Sequence, residues 1–236
     1  MNNIKYLKTF FILSAVVFLF SYGFAVGYYK IFPYKYIYKV RLLILPIEDN
    51  SQKIKPRSDF FKYFSPNVDV VMIGDSLTEL GIWSEIFPNV KIANRGVASD
   101  NTENVLNRID TILDVNPSKA LIMMGIIDIH SSIDIDTIME NYIKLIKKLE
   151  AENVEVIVQS TIECSKIRCG ENLIKLRKLN SKLEKYCGEN QILFVNLNKS
   201  LSTISEGLIK KYTWDGIHLT GSGYLEWSKQ IVNIVN

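Results

Sequence analysis

Residues that build metal centres are scarce in this sequence. It contains three cysteines, Cys164, Cys169 and Cys187, and two histidines, His130 and His218. No Cys-x-x-Cys pair occurs, so a Cys/His zinc site is not expected. Charge of one sign is not concentrated anywhere either. The formal net charge is +3, with Lys and Glu interspersed, and no clustered basic face marks a nucleic-acid partner. Internal repeats and low-complexity tracts are missing, and nothing in the chain points to an organic cofactor. The cysteines leave two readings open. In an oxidising compartment two pair and one stays free, with Cys164 and Cys169 able to close a short loop; otherwise all three are thiols of small apolar character.

The chain does have one long apolar run. Between Lys8 and Lys30 lie 21 residues without charge. At about 1.5 Å rise per residue this length crosses a hydrocarbon core of roughly 30 Å. Tyr28, Tyr29, Tyr34, Tyr36 and Tyr38 follow at its C-terminal side, where interfacial aromatics belong. A cleaved signal peptide has a shorter apolar region, about 7–15 residues, and Ala25-Val26-Gly27 is only a passable cleavage site. An uncleaved anchor over residues 1–30 and a single-pass membrane protein are therefore expected. The orientation signals conflict. Lys30, Lys35, Lys39 and Arg41 outnumber Lys5 and Lys8 and place the C-terminal part in the cytoplasm. The very short N-terminal tail and a cysteine pair argue for export, and the extracytoplasmic side is the reading adopted.

Residues 31–66 read as a membrane-proximal connector punctuated by Pro33, Pro46, Pro56 and Pro66. Residues 67–236 are long enough for one α/β domain with a full core. Five short apolar runs predict strands: Asp69–Ile73 ending at Gly74, Val90–Ala93, Ala120–Met124 ending at Gly125, Val154–Val158 and Ile192–Val195. Continuous apolar character suits strands covered on both faces. Helical spacing predicts helices over Asn101–Leu113, Ile135–Glu152, Leu173–Tyr186 and Gly223–Val235. Strands alternating with helices imply a five-stranded parallel sheet in a three-layer α/β/α sandwich, with ligands bound beyond the C-terminal strand ends.

Two fragments at such ends carry chemistry. The first strand runs into Gly74-Asp75-Ser76-Leu77, which sets a serine at the start of a helix. The free N–H groups there favour the negative charge that nucleophilic attack creates. The same fragment also describes an ordinary N-cap serine. It is not the G-x-S-x-G elbow, because Thr78 stands where the last glycine is needed. Near the end of the chain, Asp215-Gly216-Ile217-His218 spaces a carboxylate so that it can fold back onto one imidazole nitrogen and leave the other for the serine. His130, after Asp128, reads as a loop histidine.

These blocks, taken in order, resemble the SGNH/GDSL-type serine esterase and acyltransferase family. Gly74-Asp75-Ser76-Leu77 is similar to its first block, Asn94-Arg95-Gly96-Val97-Ala98 to its second, and Asp215-x-x-His218 to its last. The resemblance implies a flavodoxin-like fold over roughly residues 69–235. It implies Ser76 as nucleophile, His218 as base and Asp215 as its partner, with the backbone N–H groups of Ser76 and Gly96 holding the oxyanion. The third block departs from the pattern. Gly125-Ile126-Ile127-Asp128 puts Ile127 where the family carries an asparagine donor. Losing one such donor typically costs about 10²–10³ in rate. Asn94 or Asn101 reaching into the hole would be a substitute. Asp75 and Asp128 match family positions and are expected to bond backbone N–H groups near the strand ends.

The resulting expectation is a serine-dependent ester hydrolase or O-acyltransferase acting on small acyl esters, acetyl above all, of cell-envelope carbohydrate. Its partners are the acylated substrate and, through the N-terminal helix, the membrane, with no metal, cofactor or nucleic acid. The competing expectation, motivated by Ile127, is a catalytically impaired, membrane-anchored binding or assembly protein on the same fold.

Overall fold

Val70–Gly74, Ile92–Gly96, Lys119–Met123, Glu155–Gln159 and Leu193–Val195 form β1 to β5 in the computed structural model, which describes residues 2–29, 32, 33, 36 and 56–236. All pairings among these strands are parallel and the order is β2-β1-β3-β4-β5. Their apolar runs are continuous because both sheet faces are covered. In β1, Val71 and Ile73 enter one core cluster, and Val70 and Met72 the other. In β3, Ala120 and Ile122 are divided from Leu121 and Met123 in the same way. The period of two along each strand delivers alternate residues to opposite faces.

Two units are distinguished, Met1–Lys53 and Ile54–Asn236. In the first, Asn2–Tyr29 is a single helix, α1. Its segment Tyr6–Val26 is long and apolar enough, by length and composition, to cross a membrane or to act as a signal sequence. The expected connector over 31–66 lies outside the described residues at 31, 34, 35 and 37–55. Its C-terminal part belongs to the second unit, which therefore begins before residue 67. Pro56–Phe60 forms α2, and Phe61 behind it is buried against the guanidinium of Arg95, 4.2 Å from its ring centroid. The aromatics of this stretch, Phe60, Phe61, Tyr63 and Phe64, lie on and just behind a five-residue helix, too short to reveal packing by periodicity.

Short helices α3, Ser76–Glu79, and α4, Trp83–Ile86, follow β1. After β2 the single expected helix is two, α5 Thr102–Asn107 and α6 Ile109–Leu113. The break falls at Arg108, whose side chain turns inward to Asp100 at 2.7 Å and to the Arg95 carbonyl at 2.8 Å. α7, Ile126–His130, and α8, Ile135–Ala151, follow β3. α9, Lys166–Cys169, and α10, Asn172–Glu189, follow β4, and α11, Asn198–Leu201, follows β5. A two-stranded ribbon, β6 Ser202–Thr203 with β7 Gly207–Leu208, precedes the closing helix α12, Gly221–Val235. α5 to α8 and α10 pack on one sheet face. α3, α4, α11 and α12 pack on the other through Leu77, Trp83, Leu201, Trp227 and Ile231. A fully buried Leu or Ile contributes about 1.5–3 kcal/mol, and α8 and α10 together place Ile138, Leu145, Ile146, Leu149, Leu176, Leu179 and Leu183 in the core of the first face.

β1 has β2 on one side and β3 on the other, so the strand order reverses beside its C-terminal end. A crevice opens where a parallel sheet reverses in this way, and ligands bind there. Tyr142 fixes one wall of it: its hydroxyl donates to the Met124 carbonyl at 2.8 Å and accepts from the Met124 N–H at 3.1 Å, just beyond β3.

Candidate active site

Asp75, rather than Ser76, is the N-cap of α3. Its backbone is extended and its Oδ1 accepts from Leu77 N–H at 2.9 Å. With the cap supplied by its neighbour, the Ser76 hydroxyl is free to face elsewhere, and its Oγ lies 3.0 Å from His218 Nε2. The other ring nitrogen, Nδ1, is 2.7 Å from Asp215 Oδ2. Residues 76, 215 and 218, distant in sequence, thus meet at the C-terminal end of β1.

The Asp215–His218 turn is built to hold that geometry. Asp215 Oδ1 accepts from Ile217 N–H at 2.9 Å and His218 N–H at 2.8 Å. Gly216 supplies the φ of 89° that the turn requires. The Thr213 hydroxyl donates to the His218 carbonyl and accepts from Gly216 N–H. Burial works to raise the Asp215 carboxyl, but the imidazole bond and the two backbone N–H bonds outweigh it and hold the group below the usual carboxylate range. Asp215 is therefore ionised wherever His218 needs it. Trp214 stacks on the His218 ring, centroids 5.6 Å apart at 18°, and the residue is 70% exposed.

The oxyanion side differs from expectation. Gly96 N–H donates to Asn94 Oδ1 at 3.0 Å, so the amide assigned to the oxyanion already has an acceptor. Gly96 is needed for another reason: a Cβ there would overlap the backbone of Thr78 and Glu79, where α3 crosses β2. Asn94 is equally committed. Its Nδ2 donates to the carbonyls of Thr78, Glu79 and Gly81, closing the C-terminal end of α3. Asn101 caps α5, its Oδ1 accepting from Asn104 N–H at 2.8 Å. Just past Gly96, Ser99 holds φ at 63°, is exposed, and its N–H has no acceptor among the described residues. A non-glycine residue in that region is costly and clusters at functional sites. Sequence offers no signal for it.

Ile127 lies on α7, partly buried and packed against the core of the first face, so the third-block position contributes apolar surface only. Asp128 accepts from both the N–H and the hydroxyl of Thr102, tying α7 to the start of α5. Asp75 is fully buried, and its Oδ2 has no partner among the described residues. Burial pushes its carboxyl up to about 7, with the Leu77 N–H bond and the His218 charge opposing. Both aspartates thus organise backbone, as expected.

Cys164 and Cys169 are disulfide-bonded and Cys187 is a buried free thiol. His130 ends α7 with Nε2 3.4 Å from Cys169 Sγ. Beside Asp215 opens a groove of about 730 Å³ whose walls include Trp214, Arg168, Glu206, Ile209 and Lys210.

A parallel sheet with a serine, an imidazole and a carboxylate aligned at its reversal point defines the hydrolase class of α/β proteins. Residues 72–225 match the GDSL-like lipase/acylhydrolase family, and the chain belongs to it. N-acylneuraminate cytidylyltransferase of Streptococcus agalactiae is 26% identical over 175 residues, 74% of this chain and 40% of that protein. The chain thus spans about two fifths of the length of that relative. The platelet-activating factor acetylhydrolase IB subunit alpha2 of Rattus norvegicus is 26% identical over 185 residues, covering 71% of this chain and 76% of that one. Among solved structures, a GDSL-like lipase from Bacteroides thetaiotaomicron superposes with a TM-score of 0.69 at 22% identity, over 77% of this chain and 96% of its own. An acetylxylan esterase from Geobacillus stearothermophilus does so with 0.60 at 14%, over 73% and 96%.

Proposed function

We propose that this protein is a serine esterase that removes small acyl groups, acetyl above all, from carbohydrate of the cell envelope. The observation that carries the reading is the pair of contacts on one imidazole, Ser76 Oγ at 3.0 Å and Asp215 Oδ2 at 2.7 Å. His218 takes the Ser76 proton through Nε2 as Oγ attacks the ester carbonyl, and Asp215 holds Nδ1–H and stabilises the imidazolium. His218 then returns the proton to the leaving sugar oxygen. Water, activated by the same nitrogen, releases the acyl group. A sugar hydroxyl in place of water makes the same machinery an O-acyltransferase. The oxyanion faces the N–H of Ser76 and, in this reading, that of Ser99, which takes the part first assigned to Gly96. Ile127 adds no third donor, so the expected rate is below that of a fully equipped site.

The carbohydrate assignment is supported by the groove beside Asp215. The exposed Trp214 face offers a flat apolar platform of the kind sugars stack on, and Arg168, Glu206 and Lys210 offer polar partners along its walls. The structural neighbour from Geobacillus stearothermophilus is an acetylxylan esterase, which is the same substrate chemistry. The N-terminal helix is read as an uncleaved anchor that holds the domain at the outer face of the membrane, and the Cys164–Cys169 bond fits an oxidising compartment. Residues 1–30 are taken as the anchor and the catalytic domain as extending to residue 236.

The second reading, a binding protein with lost activity, is favoured by Ile127 alone. Hydrolysis of p-nitrophenyl acetate and of acetylated xylo-oligosaccharide by the wild type, set against Ser76→Ala, tests the choice. Turnover of both that vanishes in the variant supports the esterase. Turnover that survives Ser76→Ala, or its absence from folded wild type, overturns it.

A further inference from the structure

The turn between β4 and α10 is bound to the loop that carries the acid–base pair. Ser165 N–H donates to the Gly216 carbonyl at 2.7 Å. Among the described residues this is the one hydrogen bond that joins residues 214–217 to anything outside the 210–220 stretch. The fit is close: a Cβ on Gly216 would run into the Ser165 side chain and come within 3.1 Å of Arg168 Cβ.

The turn holding Ser165 is itself closed on both sides. Cys164 and Cys169, which flank it, are joined by the disulfide. Inside the ring they close, Arg168 and Cys169 N–H both donate to the Ser165 carbonyl at 3.0 Å. Outside it, Lys166 N–H donates to the Glu206 carbonyl at 2.8 Å and Leu208 N–H to the Cys164 carbonyl at 3.3 Å, which ties the turn to the β6–β7 ribbon. A short covalent ring therefore fixes the direction in which the Ser165 N–H points.

We propose that the Cys164–Cys169 disulfide is a positioning element of the active site: it fixes the Ser165 turn, which clamps Gly216 and so holds Asp215 and His218 in line with Ser76. This rests on the reading of Ser76, His218 and Asp215 as a triad. Opening the ring lets the Ser165 N–H swing away, and the Asp215–His218 turn then keeps only its internal bonds and the His218 contact with Ser76. Displacing a positioned catalytic group by about 1 Å costs on the order of 10²-fold in rate.

Ser165 has φ of −63° and extended ψ, so proline fits its backbone; it removes the N–H together with the hydroxyl, and alanine removes the hydroxyl alone. Ser165→Pro is compared with Ser165→Ala, which keeps the N–H, and with the double variant Cys164→Ala/Cys169→Ala. The substrate is p-nitrophenyl acetate, which carries no sugar. The expected result is a fall in kcat of roughly 10–100-fold in Ser165→Pro and in the double variant with KM little changed, and recovery to within a few-fold of wild type in Ser165→Ala. Combining Ser165→Pro with the cysteine pair should add little, because both open the same clamp. The downfield proton NMR signal of the His218 Nδ1–H···Asp215 bond should broaden or shift in the same variants, and it reads the loop without any turnover. Wild-type kcat and an unmoved signal in both Ser165→Pro and the cysteine pair overturn the clamp. A wild type that shows the downfield signal, loses it in Ser165→Pro, yet never hydrolyses ester would keep the clamp and overturn the triad reading instead.

Discussion

Replacing Asp215 by Asn exchanges one carboxylate oxygen for an NH2 group and reverses the polarity of one contact. Asn keeps an oxygen for the N–H groups of Ile217 and His218, at 2.9 and 2.8 Å, so the turn is expected to hold its shape. At the second position an amide N–H then faces His218 Nδ1 across 2.7 Å. Two donors cannot share that contact, so the imidazole moves its proton to Nε2. That nitrogen sits 3.0 Å from Ser76 Oγ and must carry a lone pair to take the serine proton. The variant thus holds the right residues in the wrong tautomer, and its imidazolium has lost its countercharge. In a triad of this kind the combined loss is about 10³–10⁴ in kcat, or about 4–5 kcal/mol. The assay is p-nitrophenyl acetate turnover with circular dichroism to verify folding. Asp215→Ala, which also strips two N–H groups of their acceptor, should be equally inactive and less stable than Asp215→Asn. A folded Asp215→Asn protein within tenfold of wild-type kcat would refute the reasoning.

Further outcomes follow from the surroundings of the site. The folded Asp75 carboxyl is raised from 3.8 to about 7, chiefly by burial. Between those values the unfolded chain releases its proton while the folded one keeps it, so stability falls as pH rises through that window and levels off above it. The drop is up to about 4 kcal/mol; Asp75→Asn should remove it, and urea titrations at pH 4 and pH 8 that give equal wild-type stability would contradict this. Ile127→Asn should raise kcat by about tenfold or more if the new amide reaches the oxyanion, and no gain in a folded variant would mean that the hole is already full. Phe61→Ala should cost about 3 kcal/mol, because the ring is buried against Arg95, and a chain starting at residue 67 should be less stable than one starting at 54 by urea denaturation.

The parts of the fold legible in the sequence are those with strong periodicity. β1 and β3 are uninterrupted apolar runs ending at glycine, and α8 carries its row of buried residues at helical spacing. The meeting of Ser76, Asp215 and His218 was legible because Gly-Asp-Ser and Asp-x-x-His are local patterns at strand and loop ends. The break at Arg108 was not, because it depends on a side chain reaching Asp100 and the Arg95 carbonyl. The surroundings of Gly96 were hidden for a similar reason. Its need for a missing Cβ comes from α3 crossing β2, and its N–H is consumed by a side chain two residues away. Ser99 and the Ser165 clamp depend on backbone geometry that residue type does not encode. Packing of Phe61 against Arg95 and Arg108 is likewise set by tertiary contact.

The central claim is that the Ser76 hydroxyl is the nucleophile. Intact-mass and peptide analysis after exposure to a fluorophosphonate measures it directly. The account predicts one adduct per chain, on the peptide that contains Ser76, with none formed by Ser76→Ala and labelling slowed in Asp215→Asn. No adduct on folded wild-type protein, or an adduct on another residue that persists in Ser76→Ala, would contradict it.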